Sequence, residues 1–184
     1  MTSGESSYRR YISGDRSGFD DIIDLYHDQL ICFIYTIVKN ESDAEDIAAD
    51  TFVEILMHPR RYSFKSSLKT YIFSIARHKA IDFLRKQHRH ISLELFETLK
   101  YEATDDETNA SACSSFDNGA IKTALEHINR DYAEALYLMY FEELDIGDIG
   151  RIMKKTKKQV SNLVYRAKAA MKTELDKEGF LYDG

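Results

Sequence analysis

The sequence predicts an all-α protein in two units, an amino-terminal helical bundle and a carboxy-terminal helix-turn-helix domain joined by an acidic flexible linker. Three observations carry that expectation. One Pro and eight Gly in 184 residues leave few chain breakers, which favours helices over a turn-rich sandwich. Apolar residues recur at three- and four-residue steps in both halves of the chain, the period of a helix with one buried face. Between the halves, residues 91–119 hold seven acids against Lys100 alone, with a small polar cluster over 104–115, the composition of a linker. The expected boundaries are 8–90 for the bundle, 91–118 for the linker and 119–178 for the second domain.

The first helix spans 17–38, where Phe19, Ile22, Ile23, Tyr26, Leu30, Phe33, Ile34 and Ile37 share a face. The acids on its other face, Asp20, Asp21, Asp24 and Asp28, form a ladder without a gathered second set and suit solvent better than a metal. Asn40-Glu41 interrupts the pattern, and Ser42-Asp-Ala-Glu45 has the spacing of a capping box. The helix it opens buries Ile47, Ala48, Thr51, Phe52, Ile55 and Leu56, and Pro59 ends it. A loop over 60–66 follows, then a third helix from about 67 to 86 along Leu68, Ile72, Ile75, Ala76 and Phe83. Three helices with short connections make a bundle. The second domain is expected to hold helices near 118–128, 131–141, 145–153 and 157–175.

Charge is segregated along the chain. The net charge of −6 is matched by the −6 of segment 91–119, so the remainder balances. Residues 60–90 carry nine Lys or Arg against Asp82, residues 150–172 carry eight against no acid, and 41–54 carry six acids and no base. Screening over about 8–10 Å isolates such patches, so a globally acidic chain can still present local anion-binding surfaces.

The strongest local motif spans 141–167. A helix-turn-helix needs a small residue where its helices meet and a cap on the second helix. Gly150 between Ile149 and Ile152 supplies the first; Thr156 with Gln159 supplies the second. Val160, Leu163, Val164, Ala167 and Met171 give the second helix a buried stripe. Thr156, Lys157, Lys158, Gln159, Ser161, Asn162, Tyr165 and Arg166 are left to meet DNA. In the bundle, Arg60, Arg61, Tyr62, Phe64, Lys65, Lys69, Tyr71, Phe73 and Arg77 interleave bases with aromatics, a composition suited to unstacked single strands.

Other chemistry is poorly supported. Cys32 lies in an apolar helix and reads as core, and with Cys113 it makes neither a disulfide framework nor a zinc site. The six His are scattered, and no nucleophile, phosphate loop or metal spacing occurs. No enzyme activity, cofactor or metal is expected. The amino terminus lacks the pattern of a signal peptide and no apolar run reaches bilayer length, so a cytoplasmic protein without membrane insertion is expected. On the residues alone, a stand-alone regulator with a sensing amino-terminal unit remains possible, although it gives the basic, aromatic 60–89 segment no role.

These motifs resemble, in order and over nearly the whole chain, the extracytoplasmic-function (ECF) group of bacterial RNA polymerase sigma factors. Residues 19–30 are similar to the opening of sigma region 2, 42–52 to region 2.2, 67–85 to regions 2.3 and 2.4, and 129–175 to region 4. The resemblance implies a promoter-recognition subunit that works when bound to core RNA polymerase. It implies docking on the β′ clamp helices through Glu45, Asp46, Asp50 and Glu54. The −10 element would be melted and read by Arg60, Arg61, Tyr62, Phe64, Lys65, Lys69, Thr70, Tyr71, Ser74, Arg77 and His78, with Arg85, Lys86 and Arg89 along the backbone. Region 4 would read the −35 element with its second helix and meet the β flap, the linker would thread the polymerase, and an anti-sigma factor is expected as a further partner. Three departures stand out: Tyr71 occupies a position where many relatives carry Trp, Ser161-Asn162-Leu163 one where Lys-Ser-Arg is common, and Lys154 replaces a usual Gly at the turn, where a positive φ would carry strain.

Overall fold

A computed structural model describes residues 3–97 and 119–177. It is built from helices α1 (Ser3–Ile12), α2 (Ser17–Val38), α3 (Glu41–Met57), α4 (Leu68–Glu97), α5 (Gly119–His127), α6 (Arg130–Tyr140), α7 (Ile146–Met153) and α8 (Lys157–Lys177). The residues of the acidic segment from 98 to 118, Cys113 among them, lie outside the described residues.

Helix α1 is an element that the apolar periodicity does not announce. Its anchors are Tyr8, fully buried, and Tyr11, packed on the rim of the core. It crosses α2 at Gly18, where a Cβ atom would stand 2.4 Å from the Ser7 carbonyl oxygen, so only glycine admits the approach. Arg10 ties the crossing down by reaching Asp21 at 2.6 Å and Asp15 at 2.8 Å.

Helix α2 has the expected bounds and forms the axis of the bundle. Ile22, Leu30, Phe33 and Ile34 are fully buried, and each such side chain removed from water contributes about 1.5–3 kcal/mol. Its last turn closes on Lys39 in the left-handed region at φ 60°, whose N–H donates to Tyr35 O. The next helix starts two positions earlier than a Ser42 cap requires. Asn40, extended at φ −136° and ψ 131°, accepts from Asp43 N–H at 2.9 Å, and Ser42 is instead exposed within α3. Leu56, expected in the core, is 45% exposed. The buried α3 stripe ends with Ile55, and Leu56, one position on, is turned off that stripe toward solvent.

The third long helix, α4, is capped by Ser67, whose Oγ accepts from Thr70 N–H. It runs to Glu97, past the basic residues and into the acidic segment. In the second unit, α5, α6 and α7 pack on α8 around Leu136, Ile149, Ile152, Val160, Val164 and Ala167. The two units share one apolar core: α6 lies on α2 and α7 on α4. Tyr137 of α6 is fully buried with its ring 6.0 Å from Phe33, and its hydroxyl donates to Gln29 O at 3.0 Å. Lys39 reaches across to donate to Leu125 O at 2.8 Å, and Tyr35 donates to Glu126 at 2.6 Å. No described helix is long and apolar enough to cross a membrane.

Candidate nucleic-acid interface

The carboxy-terminal motif has the geometry its sequence asks for. Asp145 caps α7, accepting from Gly147 N–H at 2.6 Å and Asp148 N–H at 2.9 Å. Those two donors hold its carboxyl below the ordinary aspartate range, the Asp148 amide contributing most. Gly150 faces the following turn so closely that a Cβ would stand 2.7 Å from Lys155 O. Lys154 takes the left-handed conformation at φ 54°, as the turn requires. Thr156 and Gln159 then cap α8 reciprocally: Thr156 N–H donates to Gln159 Oε1 at 2.8 Å, and Gln159 N–H to Thr156 Oγ1 at 3.3 Å.

That box constrains recognition. Gln159 Oε1 accepts from the backbone, which fixes the orientation of the side-chain amide and leaves one of its two lone pairs and the NH2 group unused by the box. Ser161 donates to Lys157 O at 3.0 Å, which leaves its lone pairs outward as acceptors. Lys157, Lys158, Asn162, Tyr165 and Arg166 are exposed, Tyr165 at 79%. The seven α8 positions singled out in the sequence and the capping Thr156 are therefore all exposed, beside the Lys155–Asp131 pair at 3.1 Å.

The amino-terminal surface is more divided. Arg60, Arg61, Phe64, Lys65, His78, Arg85, Lys86 and Arg89 are exposed, and Tyr71 and Ser74 are half-buried. Tyr62, expected to face DNA, is instead a core residue at 5% exposure, its hydroxyl donating to Ser66 O. Burial pushes its phenol up to about 12. It is the hub of an aromatic cluster: Tyr8 at 5.0 Å, Phe64 at 4.5 Å and Tyr71 at 5.0 Å surround it. Thr70 is also buried, sharing a hydrogen bond with the Ser67 hydroxyl. Both side chains thus shape the loop and helix start without offering themselves to a ligand.

Two residues that the sequence reading passed over set this loop. The Tyr8 hydroxyl donates to Pro59 O at 2.7 Å, and the Arg9 guanidinium lies 4.3 Å over the Phe64 ring. Phe64 is held at φ 59°, a conformation costly for an aromatic residue and maintained by these neighbours. The signal in the sequence is the short run Tyr8-Arg-Arg-Tyr11-Ile12, and it has no diagnostic spacing.

Lys69 and Arg77 point at the second unit. Lys69 Nζ pairs with Glu142 Oε2 at 2.7 Å, and Arg77 Nε with Glu134 Oε2 at 2.5 Å. Burial raises the Glu134 carboxyl's pKa, and Arg77 offsets part of that rise. Beside this contact a cleft of about 700 Å3 opens between α3 and α4, lined by Asp50, Arg61, Tyr71, His78 and Lys86, with Lys154 of the helix-turn-helix at its edge. On α3, Glu45, Asp46 and Asp50 are exposed, whereas Glu54 is bound to Arg61 and lies 3.6 Å from Lys79. The same helix exposes Val53, Leu56 and Met57, the last at 67%. Among the described residues no group of three His, Cys, Asp or Glu is placed to hold a metal.

Comparison with known proteins follows the same division. Residues 9–90 match the family model described as Sigma-70 region 2, and 118–171 the model described as Sigma-70, region 4. The chain is 24% identical over 155 residues to the ECF RNA polymerase sigma factor SigM of Bacillus subtilis, covering 83% of this chain and 92% of that protein. It is 23% identical over 156 residues to the ECF RNA polymerase sigma factor BldN of Streptomyces coelicolor, covering 84% of this chain but 59% of that protein's length. The chain belongs to the ECF sigma factor family. As a sigma factor it directs promoter-specific initiation by RNA polymerase, in a family that is not one of catalytic enzymes. Its fold is also that of the sigma factor RpoE solved with the anti-sigma factor NepR from Bartonella quintana. The TM-score is 0.70 at 22% identity, over 86% of this chain and 96% of that one.

Proposed function

We propose that this sigma factor reads the −35 element with the exposed outer face of α8 and melts and reads the −10 element with the 60–66 loop and α4. Core polymerase is held through α3. The observation that carries the first assignment is the reciprocally capped α8, which presents Lys157, Lys158, Gln159, Asn162 and Arg166 with no acid among them. Its length and exposure suit the major groove, with the amino-terminal residues on base edges and Lys and Arg on phosphates. The exposed Phe64 beside Arg60, Arg61 and Lys65 suits an unstacked base; Tyr62 and Thr70 support that surface from inside. On α3, the exposed acids around Val53, Leu56 and Met57 offer a charged rim with an apolar centre, the anatomy of a protein interface, and the β′ clamp helices are the proposed occupant.

An apolar groove of about 550 Å3 between α5, α6 and α8, lined by Ile121, Leu125, Leu136 and Met171, suits a second contact with polymerase at the β flap. An anti-sigma factor is proposed as a partner, supported by the RpoE likeness, and the protein is proposed to work in the cytoplasm without catalytic activity of its own. The test is transcription reconstituted from purified core polymerase and this chain, with start sites mapped across genomic templates. Initiation at a set of sites sharing spaced −35 and −10 elements is expected. Absence of core-dependent starts on every template overturns the reading.

A further inference from the structure

We propose that the second unit is an intramolecular competitor for the −10 strand: α6 and its following turn place Glu134 and Glu142 where DNA phosphates would otherwise sit on α4. This rests on the assignment of Lys69 and Arg77 to the −10 surface. Those two cations lie on one face of α4, two turns apart, and both are neutralised by carboxylates of the other unit. A carboxylate and a phosphate are equivalent ligands for a guanidinium or ammonium group, so one occupant excludes the other. The contact is closed to solvent: Glu134 is fully buried, and the Arg77 side chain is 14% exposed. Tyr137, one turn beyond Glu134, seats α6 on Phe33 and Gln29. Together they fix where the carboxylates fall.

The latch is built to open. Buried ion pairs bring little net stability, because desolvating two charges cancels most of their attraction. Glu134 is also imperfectly satisfied: among the described residues its Oε1 takes no hydrogen bond, with Arg130 Nε at 3.5 Å. Closure does not touch the α8 reading face, where Lys157, Lys158, Asn162 and Arg166 stay exposed. The closed chain therefore offers its duplex-reading surface while withholding two cations, Lys69 and Arg77, of its single-strand surface. Free protein therefore binds single-stranded nucleic acid more weakly until something separates the units.

The test uses the full chain and a fluorescein-labelled oligothymidylate of about twelve nucleotides, within the span of a single-strand groove. Glu134→Gln with Glu142→Gln removes both charges and keeps the side-chain shapes. A larger radius of gyration in solution scattering and roughly tenfold tighter oligonucleotide binding are expected. The gain is expected to vanish when Lys69→Ala and Arg77→Ala are added. A second variant, Tyr35→Phe with Lys39→Ala, loosens the same contact from its far side and touches neither the acids nor the DNA-facing residues; it is expected to shift binding the same way. No gain in affinity from either variant overturns the competitor. The −10 assignment is tested separately, by the effect of Lys69→Ala and Arg77→Ala on reconstituted transcription. Its failure appears there, whatever the oligonucleotide does.

Discussion

Gly150 and Lys155 meet so closely that a methyl group on the first would stand 2.7 Å from the carbonyl oxygen of the second. The neighbour is backbone, fixed in turn by Lys155 N–H donating to Gly150 O at 2.9 Å, so no side chain can swing aside. Gly150→Ala is expected to destabilise the protein by about 1–3 kcal/mol, the range for forcing atoms into a filled space. It also tilts α8 against α7. Denaturant unfolding reads the first effect, and loss of −35-dependent transcription with −10 recognition retained reads the second. Unchanged stability would mean that the turn has more room than its geometry gives it.

Asp145 is the cap on which α7 starts. Asp145→Ala is expected to cost about 1 kcal/mol, whereas Asp145→Asn, which keeps an acceptor oxygen, costs less. Because the folded carboxyl titrates below its unfolded range, its stabilisation is present above the unfolded pKa and lost as pH falls through the folded one. Wild-type stability should therefore decline below about pH 4 more steeply than that of Asp145→Asn. Thermal melts of the two across that range decide it.

The loop before α4 depends on α1. Tyr8→Phe keeps the ring against Tyr62 and deletes only the bond to Pro59 O, at a cost of about 1 kcal/mol. Arg9→Gln removes the cation over Phe64 and costs less in stability. Both are expected to slow promoter melting, seen as weaker permanganate reactivity of −10 thymines in the open complex, while duplex binding by α8 is unaffected. Normal melting in both variants would leave α1 a purely structural helix.

On α8, base and phosphate contacts separate by their salt dependence. Asn162→Ala should cost about 1–3 kcal/mol on the preferred −35 sequence and little elsewhere. Lys158→Ala should weaken all sequences alike and lower the salt slope by about one ion. Binding isotherms of the reconstituted holoenzyme at several salt concentrations distinguish them. A uniform loss from Asn162→Ala would remove it from the base-reading set.

Docking through α3 predicts that Glu45→Lys with Asp50→Lys abolishes core binding in a native-gel shift, and that Met57→Ser weakens it. The helical circular dichroism of both variants should match the wild type, since all three side chains are exposed. Retained core binding by the charge-reversed variant would place the interface elsewhere.

What the sequence reveals follows from how local the cause is. The bounds of α2, the Thr156–Gln159 box, the Gly150 approach and the left-handed Lys154 all depend on neighbours within a few positions, and periodicity and capping chemistry expose them. Asn40 and Ser42 are both good caps, and the choice between them turned on which residue the left-handed Lys39 leaves extended. Helix α1 escaped notice because tyrosines and a glycine crossing, not an aliphatic stripe, hold it. The third helix was expected to end at about residue 86, where its apolar stripe stops, but α4 continues to Glu97. Least legible was the contact between the units: no local pattern marks Glu134 or Glu142, and only packing turns them toward Arg77 and Lys69.

Lys39 answers to two masters. Its backbone bears the left-handed turn that ends α2, where glycine would relieve roughly 1 kcal/mol of strain; its ammonium, reaching Leu125, belongs to the other unit. A single Lys39→Gly change would make the amino-terminal bundle sturdier and the molecule as a whole looser. Thermal robustness and quiescence are thus set against each other at one codon, and selection for either trait alone carries a signature in the other.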